Sequence, residues 1–369
     1  MNVFAIRHGE TEWEAQSRSN RGLDGVNFFI AAVQTGFGAF IAVYLVENSW
    51  PPEAIGFALT VATMSSLFSQ IPVGAVLDSM RDKRRAVLFG IAVVGLAALL
   101  LCVTAARGAV YLALAIQGLA SSLIGPGIAA ISLALVGNAA LSERIGRNAR
   151  FAAIGNGLAA GAMGIAGVYL PAVSAFLVAV VMTLPALLSL LLIGRGGAKP
   201  AGAEPLSPDR QRQDDTRITW QGVKSLLLDR RLAIFAACVM LFFAASGAIG
   251  PGMAAQVTRR WPHLATLIVA ATILLPQAIV AMISPWIGGR ADRSGRRPLL
   301  LGWGLVPIQG LLYAALPIPF ALALGNLLNA VSGAVFGVTM TVVAADLTHR
   351  IGGFNLTLGA LGVAISICA

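Results

Sequence analysis

The sequence predicts an all-α membrane protein built from two related halves. Apolar residues make up 57% of the 369 residues and charged residues only 11%, whereas a soluble domain carries about 25% charged residues. The apolar residues fall in runs of about 20, the length of helix that crosses a bilayer. A charged segment that begins with glycine occurs twice, at Gly74 and at Gly288, 214 residues apart. This repeat indicates that the two halves share one architecture.

Eleven apolar segments are predicted to be transmembrane helices. Their ranges are 26–47, 54–77, 86–106, 108–136, 151–170, 172–194, 232–256, 263–287, 298–317 and 319–345, and the eleventh begins near Phe354. A polar stretch at 195–231 cannot cross the membrane and is predicted to be a cytoplasmic linker. The predicted organisation is a cytoplasmic segment (1–25), a six-helix bundle (26–194), the linker, and a second, incomplete bundle (232–369).

The distribution of basic residues predicts the orientation in the membrane. Counted over alternate loops, 23 of the 26 Lys and Arg residues lie on one side, and the other side holds only Arg107, Arg259 and Arg260. Because Lys and Arg concentrate in cytoplasmic loops, the amino terminus is predicted to be cytoplasmic, in a multi-pass protein of a bacterial-type inner membrane. The net charge of +10 is spread over many loops, so it does not indicate nucleic-acid binding.

A comparison of the two halves predicts that the carboxyl-terminal end is truncated. Arg144-Ile-Gly-Arg-Asn148 follows the fourth helix and Arg350-Ile-Gly-Gly-Phe-Asn355 follows the tenth, at a spacing of 206 residues. About 50 residues follow Arg144 before the linker, but only 19 follow Arg350. By this measure the second half lacks a twelfth helix. The alternative is an eleven-span protein whose carboxyl terminus lies outside.

The two charged segments contain candidate gating residues. The second has the pattern Gly-x-x-x-Asp-Arg-x-Gly-Arg-Arg, and each segment lies between two predicted spans on the basic side. An aspartate there can bind helix-end donors or a neighbouring arginine, in a contact that one conformation makes and another breaks. The arginines alone would also be explained as anchors of the topology. The candidates are Gly74, Asp78, Arg81, Arg84, Arg85, Gly288, Asp292, Arg293, Gly295, Arg296 and Arg297.

This pattern resembles the signature loop of the major facilitator superfamily, which lies between the second and third helices and, in weaker form, between the eighth and ninth. The resemblance covers residues 22–369. It implies two six-helix bundles, related by a pseudo-twofold repeat, that rock about a central cavity. It therefore implies a secondary transporter whose partners are the lipid bilayer and a small-molecule substrate, with no enzymatic activity, cofactor or metal, and it leaves a coupling ion open.

By that resemblance, Asp78 and Asp292 carry the gate together with the adjoining arginines. In the family the first copy is generally the stronger one, but here it departs from the pattern. Ser79 stands where arginine is usual, and Arg81-Asp82-Lys83 replaces x-Gly-Arg. The second copy is therefore predicted to be the better gate.

Polar side chains within the spans are candidates for the cavity. No acidic or basic residue falls near the middle of a predicted span, which argues against a carboxylate-driven proton antiporter. The resemblance implies that helices one, four, seven and ten line the cavity. That choice selects Gln34, Gln117, Ser246, Asn326 and Asn329. For each of them, a hydrogen bond between helices is the alternative explanation.

Two Gly-Pro-Gly segments, centred on Pro126 and Pro251, are candidate hinges in the fourth and seventh helices, because proline removes a backbone hydrogen bond and glycine allows bending. The family's drug exporters carry a Gly-Pro motif in helix five. Here that helix has Gly161, Gly164 and Gly167 and no proline within it. Such spacing of small residues predicts close helix packing instead.

The first residues present a competing resemblance. Asn2 to Trp13 is predicted to be a short strand that runs into Arg7-His8-Gly9, and it resembles the opening of the histidine phosphatase family. By that resemblance His8 would be the nucleophile and Arg7 a phosphate ligand. About a dozen residues separate this segment from the first span, too few for a phosphate pocket on a sheet. Phosphatase activity is the minor alternative, beside a truncated membrane protein that inserts but transports nothing.

Overall fold

The computed structural model describes residues 3–194, 229–260, 265–294, 298–315, 318–348 and 352–368. Within these ranges the regular structure is helical and contains no strand, so the predicted all-α class is confirmed. The helices are α1 Val3–Phe37, α2 Ala39–Glu47, α3 Pro52–Ser79, α4 Lys83–Val103, α5 Arg107–Val136, α6 Leu141–Tyr169, α7 Ser174–Leu191, α8 Arg230–Arg260, α9 Ala265–Ser294, α10 Pro298–Ala315, α11 Ile318–Thr348 and α12 Phe354–Cys368.

Helices α1 and α2 together correspond to the first predicted span, and each later helix corresponds to one span. By length and apolar composition, six helical segments of the described chain could cross a membrane. They are Glu14–Glu47, Pro52–Ser79, Lys83–Val103, Arg107–Val136, Ser174–Leu191 and Leu324–Thr348. The predicted linker lies outside the described residues except for 229–231.

The amino-terminal segment differs from the sequence prediction. Helix α1 begins at Val3 and continues without a break into the first span, so the strand expected before Arg7 is wrong. A single strand has no partner to hydrogen-bond with, whereas a helix satisfies its own backbone groups. The helix extends past the predicted start of the span because its glutamate and alanine residues favour helical structure.

Three apolar cores lie among the described helices, and two of them are large. The first lies within the amino-terminal half, where the buried ring of Phe176 meets Phe37 and Tyr44 edge-on, with ring centroids 5.6 and 5.1 Å apart. The second core draws residues from both halves, including Leu141 of α6 and Leu356 of α12. The halves are therefore joined by direct packing of their helices.

One contact between the halves is the seam between α3 and α12, the first seam. A Cβ atom built on Gly74 would lie 2.6 Å from the carbonyl oxygen of Asn355, and one built on Gly359 would overlap the carbonyl oxygen of Gln70. Because no side chain fits in either place, the two backbones touch directly. Each helix contributes one glycine to this close approach.

A matching contact joins α6 to α9, the second seam. A Cβ atom built on Gly288 would overlap the carbonyl oxygen of Ser142, and one built on Gly146 would overlap the carbonyl oxygen of Ser284. The arrangement repeats that of the first seam, with one glycine from each helix against a carbonyl of the other. The pseudo-twofold repeat therefore extends to individual backbone contacts.

The seams give the alignment of the halves directly. Gly74 corresponds to Gly288 at 214 residues, and Gly146 corresponds to Gly359 at 213. The sequence comparison aligned Arg144 with Arg350 at a spacing of 206 residues. This spacing is seven residues shorter than the 213 between Gly146 and Gly359. Seven residues are about two helical turns, so the similarity of those two short segments does not reflect equivalent positions.

The seams lie towards one end of the helices, which we call the basic end. It holds the loops at 80–82 and 137–140 and the start of α12. An added Cβ on Gly127 of α5 would touch Val87 of α4 and Leu77 of α3. The start of α4, the end of α3 and the end of α5 therefore lie together at the basic end. The opposite end holds the loops at 48–51 and 104–106.

Candidate ligand cavity and the contacts that close it

A cavity of about 600 Å³ lies between the two halves. This volume falls within the range of small-molecule sites, about 300–1,000 Å³. Helices α1, α3 and α5 line it from the first half and α11 and α12 from the second. Its described polar lining consists of Gln34, Ser66, Gln70, Gln117, Ser121, Ser122 and Thr341. No charged side chain is among the described lining residues.

Gln34 and Gln117, both selected from the sequence, line this cavity. The Nε2 of Gln117 donates to the Oγ of Ser121, one turn away on the same helix, at 2.9 Å. Gln34 has no hydrogen-bond partner among the described residues, and neither does the hydroxyl of Thr341. Hydrogen-bonding capacity from both halves therefore remains unused around the cavity.

Gln70 joins the halves along the cavity wall. Its Nε2 donates to the Oγ of Ser366 at 2.8 Å. Its Oε1 is buried against Gly362 and has no hydrogen-bond partner within the described part of the chain. Gln70 was not among the candidates, because the resemblance places helices one, four, seven and ten at the cavity and Gln70 lies in the second.

Pro126 also lines the cavity, within the continuous helix α5. Because proline has no N–H, the carbonyl oxygen of Ser122, four residues earlier, receives no helical hydrogen bond from it. This leaves one more acceptor near the cavity. Helix α8 is likewise continuous through Pro251, whose side chain lies outside the described set. The two hinges remain predictions.

Asn326 and Asn329 do not line the cavity, contrary to expectation. On α11 the lining residues are Met340 and Thr341, and Thr341 lies about 18 Å further along the helix than Asn329. The cavity lies towards the basic end because α12 forms part of its wall there. Ser246 lies outside the described side chains.

Asp78 binds across the first seam. Its carboxylate accepts hydrogen bonds from the backbone N–H of Asn355 at 3.0 Å and of Leu356 at 2.8 Å, and from the Nδ2 of Asn355 at 2.7 Å. Helix α12 begins at Phe354, so these are first-turn N–H groups that have no acceptor within the helix. A carboxylate also interacts favourably with the positive end of the helix dipole. One half of the protein therefore caps a helix of the other.

Two described bonds join the loop after Asp78 to the start of α4. The Nε of Arg85 lies 3.1 Å from the Oδ2 of Asp82, in a pair whose arginine side chain is 79% exposed. The Nζ of Lys83 donates to the carbonyl oxygen of Met80 at 2.7 Å. Arg81 is exposed and Arg84 is partly buried.

The second charged segment is described only at its beginning. Gly288 lies in the second seam, and the guanidinium of Arg290 lies over the ring of Trp286, 5.4 Å from its centroid. The described side chains stop before 292–300, and the backbone of 295–297 is also outside the described ranges. The gating candidates Asp292, Arg293, Gly295, Arg296 and Arg297 fall there.

A buried ion-pair network at the basic end was not predicted. The carboxylate of Asp24, which is 6% exposed, pairs with Arg144 and, at 2.5 Å, with Arg147. Arg144 also donates to Asn148, whose Nδ2 donates to the Oγ of Ser132 at 2.8 Å. The partners on α1 and α6 lie about 120 residues apart, so no local spacing could reveal the pairs.

The described residues contain no group of three His, Cys, Asp or Glu side chains that could hold a metal ion. The buried acidic groups instead bind the protein itself. Asp24 binds arginines and Asp78 binds backbone N–H groups. The described lining of the cavity offers amides, hydroxyls and apolar surface.

Comparisons with known sequences agree with the helical repeat. The family model described as Major Facilitator Superfamily matches residues 23–367, a range that begins after the segment with His8. Two proteins from strains of Mycobacterium tuberculosis, each described as an uncharacterized MFS-type transporter, are 31% identical over 356 residues. The aligned region covers 95% of this chain and 84% of each relative.

Solved structures share the fold. The human organic anion transporter MFSD10 (TETRAN) matches with a TM-score of 0.63 and 17% identity, over 97% of this chain and 92% of its own. The nucleoside transporter NupG matches at 0.62 and 15%, over 94% and 90%. The proton:xylose symporter XylE, bound to 6-bromo-6-deoxy-D-glucose, matches at 0.67 and 11%, over 98% and 87%. Similarity at such low identity establishes the architecture alone.

Proposed function

Because the chain belongs to the Major Facilitator Superfamily, we propose that it is a secondary transporter that carries a small organic solute across a membrane by alternating access. The cavity between the halves is the solute site. The basic residues, 23 of 26 on one side, support a cytoplasmic amino terminus in a bacterial-type inner membrane. The basic end is then the cytoplasmic end.

The observation that carries this proposal is the contact between Asp78 and the start of α12. It joins the halves at the basic end, between the cavity and the proposed cytoplasm. The glycine contacts of both seams reinforce the closure on that side. To release solute into the cytoplasm, the halves must separate there, and the Asp78 contact must break.

The energy of this contact is suited to a gate. The contact has three hydrogen bonds to a carboxylate, and each contributes about 1.5–3 kcal/mol. The loss of one corresponds to about a 10- to 100-fold change in a two-state equilibrium. Binding of a solute can change the equilibrium by a similar amount if its affinity for the two states differs. The contact is therefore strong enough to favour one state and weak enough to break in each cycle.

The repeat extends the proposal to the second seam. Asp292 corresponds to Asp78. Ser142, at the start of α6, corresponds to Asn355, at the start of α12. The hydroxyl of Ser142 is buried and has no partner among the described residues. By this correspondence we propose Asp292 as the gating carboxylate of the second seam, in the role that Asp78 has in the first.

For the remaining residues of the charged segments, we propose contacts with phosphate headgroups at the cytoplasmic surface. Arginines bind phosphate through paired N–H donors, and basic residues close to a membrane span are attracted to anionic lipids. The residues are Arg81, Arg84, Arg85, Arg293, Arg296 and Arg297. In this view they hold the loops at the surface while the aspartates make and break the contacts between halves.

The amino-terminal segment receives no catalytic role. A phosphatase would need the strand that leads into Arg7 and His8, and this segment is helical instead. The family match begins at residue 23, beyond it. Transport is therefore the function that the site supports.

The test substitutes Asp78→Asn, which keeps the shape but removes the charge. The reporter is a cysteine at Ala129, a buried residue of the cavity lining, in a chain whose native cysteines are replaced by serine. A membrane-impermeant maleimide is applied to inside-out vesicles. We expect the substitution to raise the equilibrium population that is open to the cytoplasm by about 10- to 100-fold, and the labelling rate with it.

The matched control is Asp82→Asn, four residues along the chain, where the described ion pair of the carboxylate is with the exposed Arg85 of α4. Labelling of this variant should stay at the parent rate. If Asp78→Asn also labelled at the parent rate, the contact would not be a gate. Such a result would favour the alternative of a membrane protein that inserts without transporting.

A further inference from the structure

We infer that the cavity selects an uncharged, hydroxyl-rich solute of about the size of a sugar or nucleoside, with Gln34, Gln117 and Thr341 as its hydrogen-bonding residues. This inference rests on the proposed transport function and specifies the class of its substrate. Three properties of the described cavity lining lead to it: the absence of charge, the unused hydrogen-bonding groups, and the apolar surface beside them.

The first property is charge. The described lining of the cavity contains no acidic or basic side chain, and the sequence places none near the middle of any predicted span. A charged solute that enters such a site loses its water and gains no counter-ion, which is strongly unfavourable. The acidic groups nearest the basic end are already engaged, Asp24 with arginines and Asp78 with α12. An organic anion or cation is therefore disfavoured.

The second property is hydrogen bonding. In the described structure, neither the Gln34 amide nor the Thr341 hydroxyl has a protein partner, and the only bond of the Gln117 amide is from its Nε2 to Ser121. An amide offers a donor and an acceptor side by side, and a hydroxyl group can act as both. An amide can therefore bind two neighbouring hydroxyls of one solute. A purely apolar solute would leave these groups without partners, at a cost in free energy.

The third property is the placement of these groups. Gln34 and Gln117 belong to the first half and Thr341 to the second, so one solute can bind both halves at once. Phe37 and Met340 supply apolar surface beside them, against which the C–H face of a sugar or nucleoside ring can pack. Contacts with both halves make solute affinity depend on their relative position. This is the coupling that alternating access requires.

The test uses solutes that differ only in charge. The full chain is reconstituted in lipid nanodiscs, and binding is measured by calorimetry for D-glucose, D-glucuronate and D-glucosamine, and for uridine and uridine monophosphate. We expect at least one neutral member to bind saturably at millimolar concentration or below. Each charged relative should bind about 100-fold more weakly, because the charge has no partner in the cavity.

Four variants assign the binding to this cavity. Gln34→Leu and Gln117→Leu should each weaken the neutral solute by about tenfold. Asn326→Leu, on α11 but outside the cavity lining, should leave its affinity unchanged. Gln117→Glu places a carboxylate in the cavity and should improve the affinity for D-glucosamine relative to D-glucose. That gain of affinity is a readout that a misfolded variant cannot produce.

The inference is overturned if a charged member binds as tightly as its neutral relative, if neither neutral solute binds, or if both glutamine variants bind like the parent. These outcomes are independent of the gate. If Asp78→Asn raises the labelling rate but neither neutral solute binds, the transport proposal is supported and the proposed substrate class is wrong. If neutral solutes bind but Asp78→Asn labels at the parent rate, the substrate class is supported and the proposed gate is wrong.

Discussion

Asp24 is the residue whose surroundings depend most on the folded structure. The sequence shows an aspartate at the start of a span, but the structure buries it between two arginines of α6. A buried ion pair is weak evidence for stability, since desolvation offsets much of the attraction. Removing one partner is different, because the other charge is then left buried and uncompensated.

We predict that Asp24→Asn destabilises the protein by about 3–5 kcal/mol. Arg144 is only 4% exposed, so its guanidinium would keep Asn148 as a hydrogen-bond partner but lose its counter-charge. The measurement is the thermal unfolding midpoint of the detergent-solubilised protein, determined from the fraction of protein that remains monodisperse as the temperature rises. Expression should fall in parallel.

The same substitution at Asp82 is the matched control. Its pair with Arg85 is exposed on both sides, and exposed ion pairs contribute about 0–1 kcal/mol. The midpoint of Asp82→Asn should therefore stay close to that of the parent. Equal midpoints for the two variants would mean that the buried network does not stabilise α1 against α6.

For individual residues, the sequence predicts chemistry better than position. Gln34 and Gln117 could be selected because burying a polar group in an apolar span costs free energy, so such a residue usually has a structural or functional role. Asn326 and Asn329 met the same criterion, yet the cavity meets α11 at Met340 and Thr341. The level of the cavity depends on which helices of the two halves touch, and the pattern within one helix holds no information about that.

For helices, the bilayer makes prediction reliable. A helix needs about 20 apolar residues to cross it, so runs of that length locate the helices. Some helices extend further, and α6 begins at Leu141, ten residues before the predicted start at 151. Breaks inside a span are harder to see. At Gly38, which lines the cavity, the chain leaves the helical conformation with φ −79° and ψ −109°. Neighbouring residues are as apolar as any other part of the span.

The close approach of α3 and α12 leads to a prediction for Gly74→Ala. Its Cβ would lie 2.6 Å from the carbonyl oxygen of Asn355, a backbone atom that can move only with its helix. The variant should separate the seam and weaken the Asp78 contact, which lies one turn away. We expect faster labelling of a cysteine at Ala129 from the cytoplasmic side, as for Asp78→Asn.

Gly56→Ala, in the same helix, is the control for the change of residue type. An added Cβ there meets no atom within 4 Å, and alanine is favoured over glycine in a helix by about 0.8–1 kcal/mol. This variant should label at the parent rate and be slightly more stable. Slow labelling in both variants would mean that the seam tolerates a methyl group and does not hold the gate closed.

At the scale of the whole molecule, the two seams are equivalent under the repeat. Each brings a glycine of one half against a carbonyl of the other, in matched registers of 213 and 214 residues. Cores that are close-packed move as units. If the halves rock as rigid bodies, the first seam cannot open while the second stays closed.

A disulfide across the second seam tests this coupling. A Cβ atom built on Gly157 would lie 3.5 Å from the Cβ of Gln277, within the Cβ separation that disulfides require, about 3.5–4.5 Å. We therefore expect Gly157→Cys with Gln277→Cys to oxidise readily in the chain without native cysteines. Adding Asp78→Asn and the cysteine at Ala129 then shows whether the first seam still opens.

The oxidised protein should lose the effect of Asp78→Asn on labelling, and reduction with dithiothreitol should restore it. The bond lies about 17 Å along α6 from Gly146, so it restricts the separation of α6 and α9 and, if the halves are rigid, that of α3 and α12. The control is Gly157→Cys alone, which cannot form the bond and should respond to Asp78→Asn under oxidising conditions. Fast labelling of the disulfide-bonded protein would show that the first seam opens while this bond between α6 and α9 is in place.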